Sequence, residues 1–165
     1  MTIYSFVEGF WLYREGNHAL SVGLALVCAF CACELVREIT GRKYMFMRLR
    51  KVDRLSGKSF EKYLAVHFRR IGYKVKLTGS SNDYGADLLL KRGGKTTVVQ
   101  AKRYDRNVGI GAVQEVTGAM SYYQADRAMV VTNQYFTRNA ENLAGQTGVR
   151  LWGRKELKRY FHAKD

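Results

Sequence analysis

From Leu55 onward the apolar residues switch between helical and strand-like spacing. Phe60, Leu64, Phe68 and Ile71 recur every three or four positions behind the N-cap candidates Ser56 and Ser59, which predicts a helix ended by Gly72. Tyr73–Thr78 alternates apolar and polar residues, the pattern of a half-exposed strand. A polar loop, 79–85, leads into Ala86–Lys91, whose three consecutive leucines predict a strand covered on both faces. Gly93-Gly94 predicts a hairpin turn, because both residues accept positive φ, and Lys95–Arg103 is the return strand. Further on, the pattern predicts a helix from about Gly111 to Gln124 and a strand over Ala128–Thr132. A helix over Phe136–Gln146, a short strand Val149–Trp152 and a last helix Lys155–His162 follow. The order α-β-β-β-α-β-α-β-α places the chain in the α/β class, as a mixed β-sheet flanked by helices.

The N-terminal stretch follows another rule. Ala19–Cys33 carries no charge; Glu34 interrupts, and Leu35 and Val36 follow. A helix over 19–36 would span roughly 27 Å against a hydrocarbon core of about 30 Å. Phe10, Trp11 and Tyr13 precede it like an aromatic belt, and basic residues follow it. The expectation is one transmembrane helix, 19–36, making a single pass through a bacterial inner membrane, with the C-terminal part in the cytoplasm. Segment 1–18 would precede it, 37–54 would be a basic juxtamembrane linker, and 55–165 the α/β domain. The competing readings are a signal peptide, which the long acidic start disfavours, and a buried helix of a soluble protein. Cys28, Cys31 and Cys33 read as small helix residues, since three thiols without a fourth ligand make a poor zinc site.

Charge narrows the partners. The chain carries 28 Lys+Arg against 14 Asp+Glu, a formal net charge of +14, which points to a polyanion: DNA or an anionic membrane surface. Three clustered cysteines give no disulfide framework. His18, His67 and His162 are isolated, and the chain has neither a Walker motif nor a hydrolase triad.

The chemistry concentrates on the predicted hairpin. Positions 87 and 100 are nearly symmetric about the 93–94 turn, so Asp87 and Gln100 should be cross-strand neighbours. Gln100 and Lys102 are two apart and leave the same face of their strand. A carboxylate, an amide oxygen and an ammonium would converge there, and magnesium (or manganese) favours such hard oxygen ligands. Phosphodiester hydrolysis needs a cation of this kind to activate water and offset developing charge. In the loop, Asp83 reads as turn chemistry more than as a ligand, and Ser80, Ser81 and Asn82 as ordinary loop residues. Gln114 would face the same end, as a phosphate contact or a solvated helix position. Lys74, Lys76, Arg103 and Arg106 cluster near enough to hold DNA phosphates.

Phe60-Glu61, Gly72-Tyr73, Gly85-Ala-Asp87, Val98-Val-Gln-Ala-Lys102, Gly118-Ala119 and Val130-Val-Thr132 occur in order across roughly 55–157. Together they resemble the Mrr-type branch of the PD-(D/E)xK restriction-endonuclease superfamily. The resemblance implies a restriction-endonuclease-like fold and a Mg²⁺-dependent endodeoxyribonuclease, serving defence against foreign DNA or DNA processing. It assigns Asp87 and Gln100 to the metal, with the Ala101 carbonyl as an added ligand. Lys102 becomes the catalytic lysine, and Glu61 the extra carboxylate often supplied by the first helix. Gln100 stands where the wider superfamily has an acid, and the Mrr branch is similar in using Gln. A homodimer is what concerted double-strand cuts would require. Two other readings stay open: a nuclease-like DNA-binding membrane tether that no longer cuts, and a structure-specific nuclease of the Holliday-junction type.

Overall fold

The structure, a computed structural model, describes residues 22–36, 41–79 and 84–163. The chain forms two units, Met1–Arg42 and Lys43–Asp165. In the first, residues 22–36 are helical, and Leu24, Leu26, Phe30 and Leu35 are exposed. The expected transmembrane helix over 19–36 is not found: among the described residues no helix is long and apolar enough to cross a membrane. Residues 19–21 lie outside the described residues, as do Ser80, Ser81, Asn82 and Asp83. Cys28, Cys31 and Cys33 are free and exposed.

The second unit runs α1 (Leu49–Val52), α2 (Gly57–Arg70), β1 (Lys74–Leu77), β2 (Leu88–Arg92), β3 (Lys95–Lys102), α3 (Ile110–Tyr122), β4 (Arg127–Thr132), α4 (Arg138–Thr147), β5 (Arg150–Trp152) and α5 (Arg154–Phe161). Five strands lie in the order β1-β2-β3-β4-β5. The first three pair antiparallel, and β3, β4 and β5 pair parallel through the crossover helices α3 and α4. Gly93 and Gly94 have φ of 57° and 73°, the double positive turn that two glycines permit. Leu88 pairs with Val99, so the register sets residue 87 opposite residue 100, as the turn position predicted.

Helices cover both faces. On one, Phe60, Tyr63, Leu64 and Phe68 of α2 pack with Leu88, Leu90, Val99 and Val131. On the other, Val113, Val116 and Ala119 of α3 and Ala140 and Ala144 of α4 pack with Val98 and Val130. Of the stretch expected to be a basic linker, Tyr44, Leu49 and Val52 are buried in the α2-side core. The helix expected from Phe136 begins at Arg138, because the Thr137 side chain accepts the Ala140 N–H and caps it there. Phe136 instead bridges to Val108.

His67 lies in the α2-side core between the rings of Tyr63 and Phe161. Its Nε2 donates to the Tyr44 carbonyl at 3.2 Å, while Nδ1 is buried without a partner. Burial lowers its pKa to about 4, partly opposed by the Tyr44 bond and reinforced by Arg70.

Candidate active site

The mixed sheet brings chemistry-bearing residues together where the antiparallel hairpin meets the parallel strands. Asp87 lies just before β2. Its N–H donates to the Val99 carbonyl at 2.8 Å and its carbonyl accepts from the Thr78 N–H at 3.1 Å. The backbone of Asp87 is therefore held on both sides. Its side chain then caps the free edge of β3: Oδ2 accepts from Ala101 N at 2.7 Å and from Gln100 Nε2 at 2.9 Å. Within an extended residue the N–H and C=O leave on the same edge, so the Ala101 carbonyl faces the side where β2 has ended.

Gln100 is 6% exposed, and its Oε1 is buried with no hydrogen-bond partner. A buried acceptor left unpaired costs about 1–3 kcal/mol, which makes this oxygen a candidate ligand atom. Among the described residues no three His, Cys, Asp or Glu side chains gather to hold a metal ion. Any cation here would rest on a mixed oxygen set of one carboxylate, one amide and backbone.

Lys102 ends β3 on the same face as Gln100. Its Nζ lies 2.6 Å from Glu115 Oε2 on α3. Glu115 escaped the sequence reading; its signal was that it is the one charged residue in Ile110–Tyr122. The loop before Asp87 rests on this same residue. A Cβ at Gly85 would lie 2.9 Å from the Glu115 carbonyl oxygen, and Gly85 has φ of 86°. Next to it, Tyr84 stacks on Tyr122 of α3 at 3.9 Å between ring centroids.

The remaining predicted residues are dispersed. Glu61 is half-buried on α2, in the layer on the opposite face of the sheet from Gln100 and Lys102. Lys74 and Lys76 are exposed on β1; through the pairs Lys76–Leu89 and Leu89–Val98 they share a face with Gln100. Arg106 and Gln114 are exposed. Arg103 is engaged within the chain: its Nη1 donates to Asp105 Oδ1 at 2.7 Å and to the Asp53 carbonyl at 3.3 Å. That carbonyl belongs to a polar seam at the C-terminal ends of β3, β4 and β5. Asp53 Oδ1 accepts from Arg154 Nη1 at 2.8 Å and from Asn133 Nδ2 at 2.9 Å. Asn133 Oδ1 in turn accepts from the Tyr104 N–H at 3.0 Å.

The family model of restriction endonucleases named Mrr_cat matches residues 52–161, from the last residue of α1 to the end of α5. The chain belongs to the Mrr_cat restriction endonuclease family. Two solved structures share the fold. The DNA modification-dependent restriction endonuclease AspBHI aligns with a TM-score of 0.53 at 18% identity, covering 72% of this chain and 34% of its own. A protein of unknown function, AF1548, aligns with a TM-score of 0.50 at 16% identity, covering 57% of this chain and 56% of its own. The restriction endonuclease MspJI, solved in complex with a 27-mer oligonucleotide, gives a TM-score of 0.41 at 23% identity, covering 75% and 28%. The chain thus spans little more than half of AF1548 and about a third of the two restriction enzymes. No curated protein sequence matches it. Within the Mrr_cat match fall Asp87, Gln100, Lys102 and Glu115 alike, and the α/β fold with helices on both faces is the restriction-endonuclease-like one.

Proposed function

We propose that this chain is a divalent-metal-dependent DNA endonuclease whose reactive centre is Asp87, Gln100 and Lys102. The observation that carries the reading is the buried, partnerless Gln100 Oε1 beside the Asp87 carboxylate. Mg²⁺ or Mn²⁺ fits this donor set: Asp87, Gln100 Oε1 and the Ala101 carbonyl are hard oxygens, and Mg²⁺ keeps several waters. Bound there, the ion would supply Lewis acidity, a more acidic water and compensation for charge developing on the phosphoryl group.

The chain's own residues do the rest. Asp87 fixes the geometry through the backbone of Ala101, and Lys102 donates to a phosphate oxygen, stabilising the added charge. Lys74, Lys76, Arg106 and Gln114 would hold the DNA backbone, with Arg103 bracing the turn between them. A net charge of +14 makes that affinity sensitive to salt and largely indifferent to sequence. Family membership favours a role in defence against foreign DNA or in DNA processing, and a second copy of the chain is what concerted double-strand cuts require. Attachment to a membrane rests on the apolar sequence 19–36 alone, and fractionation of cells expressing the full chain tests it.

The deciding experiment incubates the full chain with supercoiled, linear and branched DNA in Mg²⁺, Mn²⁺ or EDTA, beside Asp87→Ala. Metal-dependent cutting lost in the variant supports the endonuclease. A preference for branched DNA would move the substrate to junctions. DNA binding without cutting at any metal concentration would leave a nuclease-like tether instead.

A further inference from the structure

Glu115 touches both arms of the candidate site. Its side chain lies 2.6 Å from Lys102 Nζ, and its backbone carbonyl would lie 2.9 Å from a Cβ at Gly85, two residues before Asp87. The glycine at 85 thus lets the Asp87 loop lie directly on the helical turn that carries Glu115.

The ion pair is a poor device for stability. The Glu115 side chain is 50% exposed and that of Lys102 18%, and pairs with so much solvent contact contribute little. It is an effective device for orientation. A lysine ammonium sits on a flexible four-carbon stem, and a single carboxylate at its tip removes most of that freedom. A carboxylate in this place also repels a DNA backbone, so it has no use as a direct contact to the substrate.

We propose that Glu115 is the positioning residue of Lys102: tied to the Asp87 loop through Gly85, its carboxylate fixes where the lysine ammonium stands relative to the Asp87–Gln100 pair. This rests on the nuclease reading of those three residues. The role acts through Lys102 and leaves the DNA contacts to other side chains. Loss of the carboxylate therefore lowers turnover while leaving DNA binding unchanged or tighter, a combination that a packing role does not produce.

The test uses the full chain with Glu115→Gln and Glu115→Asp. In Glu115→Gln, kcat for DNA cleavage falls by about tenfold or more, the usual effect of losing an orienting partner, while KM and the DNA Kd stay level or drop. Glu115→Asp, which keeps the charge, recovers part of kcat. A second readout needs no activity. In protein labelled with ¹³C and ¹⁵N in lysine, the Lys102 side-chain signal, assigned by its loss in Lys102→Arg, moves in Glu115→Gln. Wild-type kcat in Glu115→Gln, or a rise in KM alone, overturns the positioning role while the nuclease reading stands. An unmoved Lys102 signal overturns the contact itself. A wild-type chain that cuts no DNA sinks the nuclease reading, and the positioning role with it, even if the signal moves.

Discussion

Gln100 gives its amide N–H to Asp87 Oδ2 at 2.9 Å, and by doing so turns its own carbonyl oxygen into a buried acceptor with no partner. The two side chains are complementary to one another, and the unmet acceptor is on Gln100. A neutral amide holds a cation less tightly than a carboxylate does.

Gln100→Glu should therefore lower the Mg²⁺ concentration for half-maximal cleavage by about tenfold, the equivalent of roughly 1.4 kcal/mol. Without metal, the same change sets two carboxylates against each other and lowers the thermal midpoint in EDTA. A metal titration and paired melts read both. An unchanged metal midpoint would remove the amide from the metal site.

Asp87→Ala and Lys102→Ala should each reduce cleavage by more than about a hundredfold, the scale expected when a group acting on developing charge is lost. Binding of DNA should survive in both. Asp87→Ala also leaves the Ala101 and Gln100 N–H donors without an acceptor, a cost of roughly 1–3 kcal/mol that urea unfolding would register. Cleavage at wild-type rates by both variants would show that the reactive centre lies elsewhere.

Gly85→Ala combines a left-handed φ with a 2.9 Å approach to the Glu115 carbonyl. The expected loss is roughly 1–3 kcal/mol, with a fall in cleavage at temperatures where the variant is still folded. A variant as stable and as active as wild type would mean that the loop does not rest on α3.

His67 makes stability depend on pH. Its pKa is depressed to about 4 by burial, so the unfolded chain takes up this proton first, near the ordinary value of 6.5. Stability contributed by the neutral ring is present above that value. It falls as pH drops from about 6.5 to 4, with a loss of about 2 kcal/mol between pH 7 and 5. Urea unfolding at the two pH values, with His67→Gln beside wild type, measures it. Equal slopes in the two proteins would assign the effect to other groups.

Much of the geometry of the candidate site was legible because it is local. Gly93-Gly94 fixes a turn, the turn fixes a register, and the register brings residue 87 to residue 100 by counting alone. Lys102 follows from the period of a strand. Glu115 was not legible, since nothing in a helix pattern says which exposed residue leans toward a strand end. Asp53 was hidden more deeply. In sequence it is one acid in a basic stretch, and its partners Asn133 and Arg154 are 80 and 101 positions away. The apolar run 19–36 is a different case: among the described residues no helix is long and apolar enough to cross a membrane, so that expectation stands on composition alone.

That difference in distance along the chain also sets an order of assembly. Asp87, Gln100, Lys102 and Glu115 come from one hairpin and the helix after it, and contacts between near neighbours lose little loop entropy as they form. The Asp53–Arg154 clasp joins the start of the α/β unit to its last helix, so it closes after the chain has threaded its parallel strands. All four of these groups precede Arg154 in the chain, so synthesis makes them before the residue that closes the Asp53 clasp.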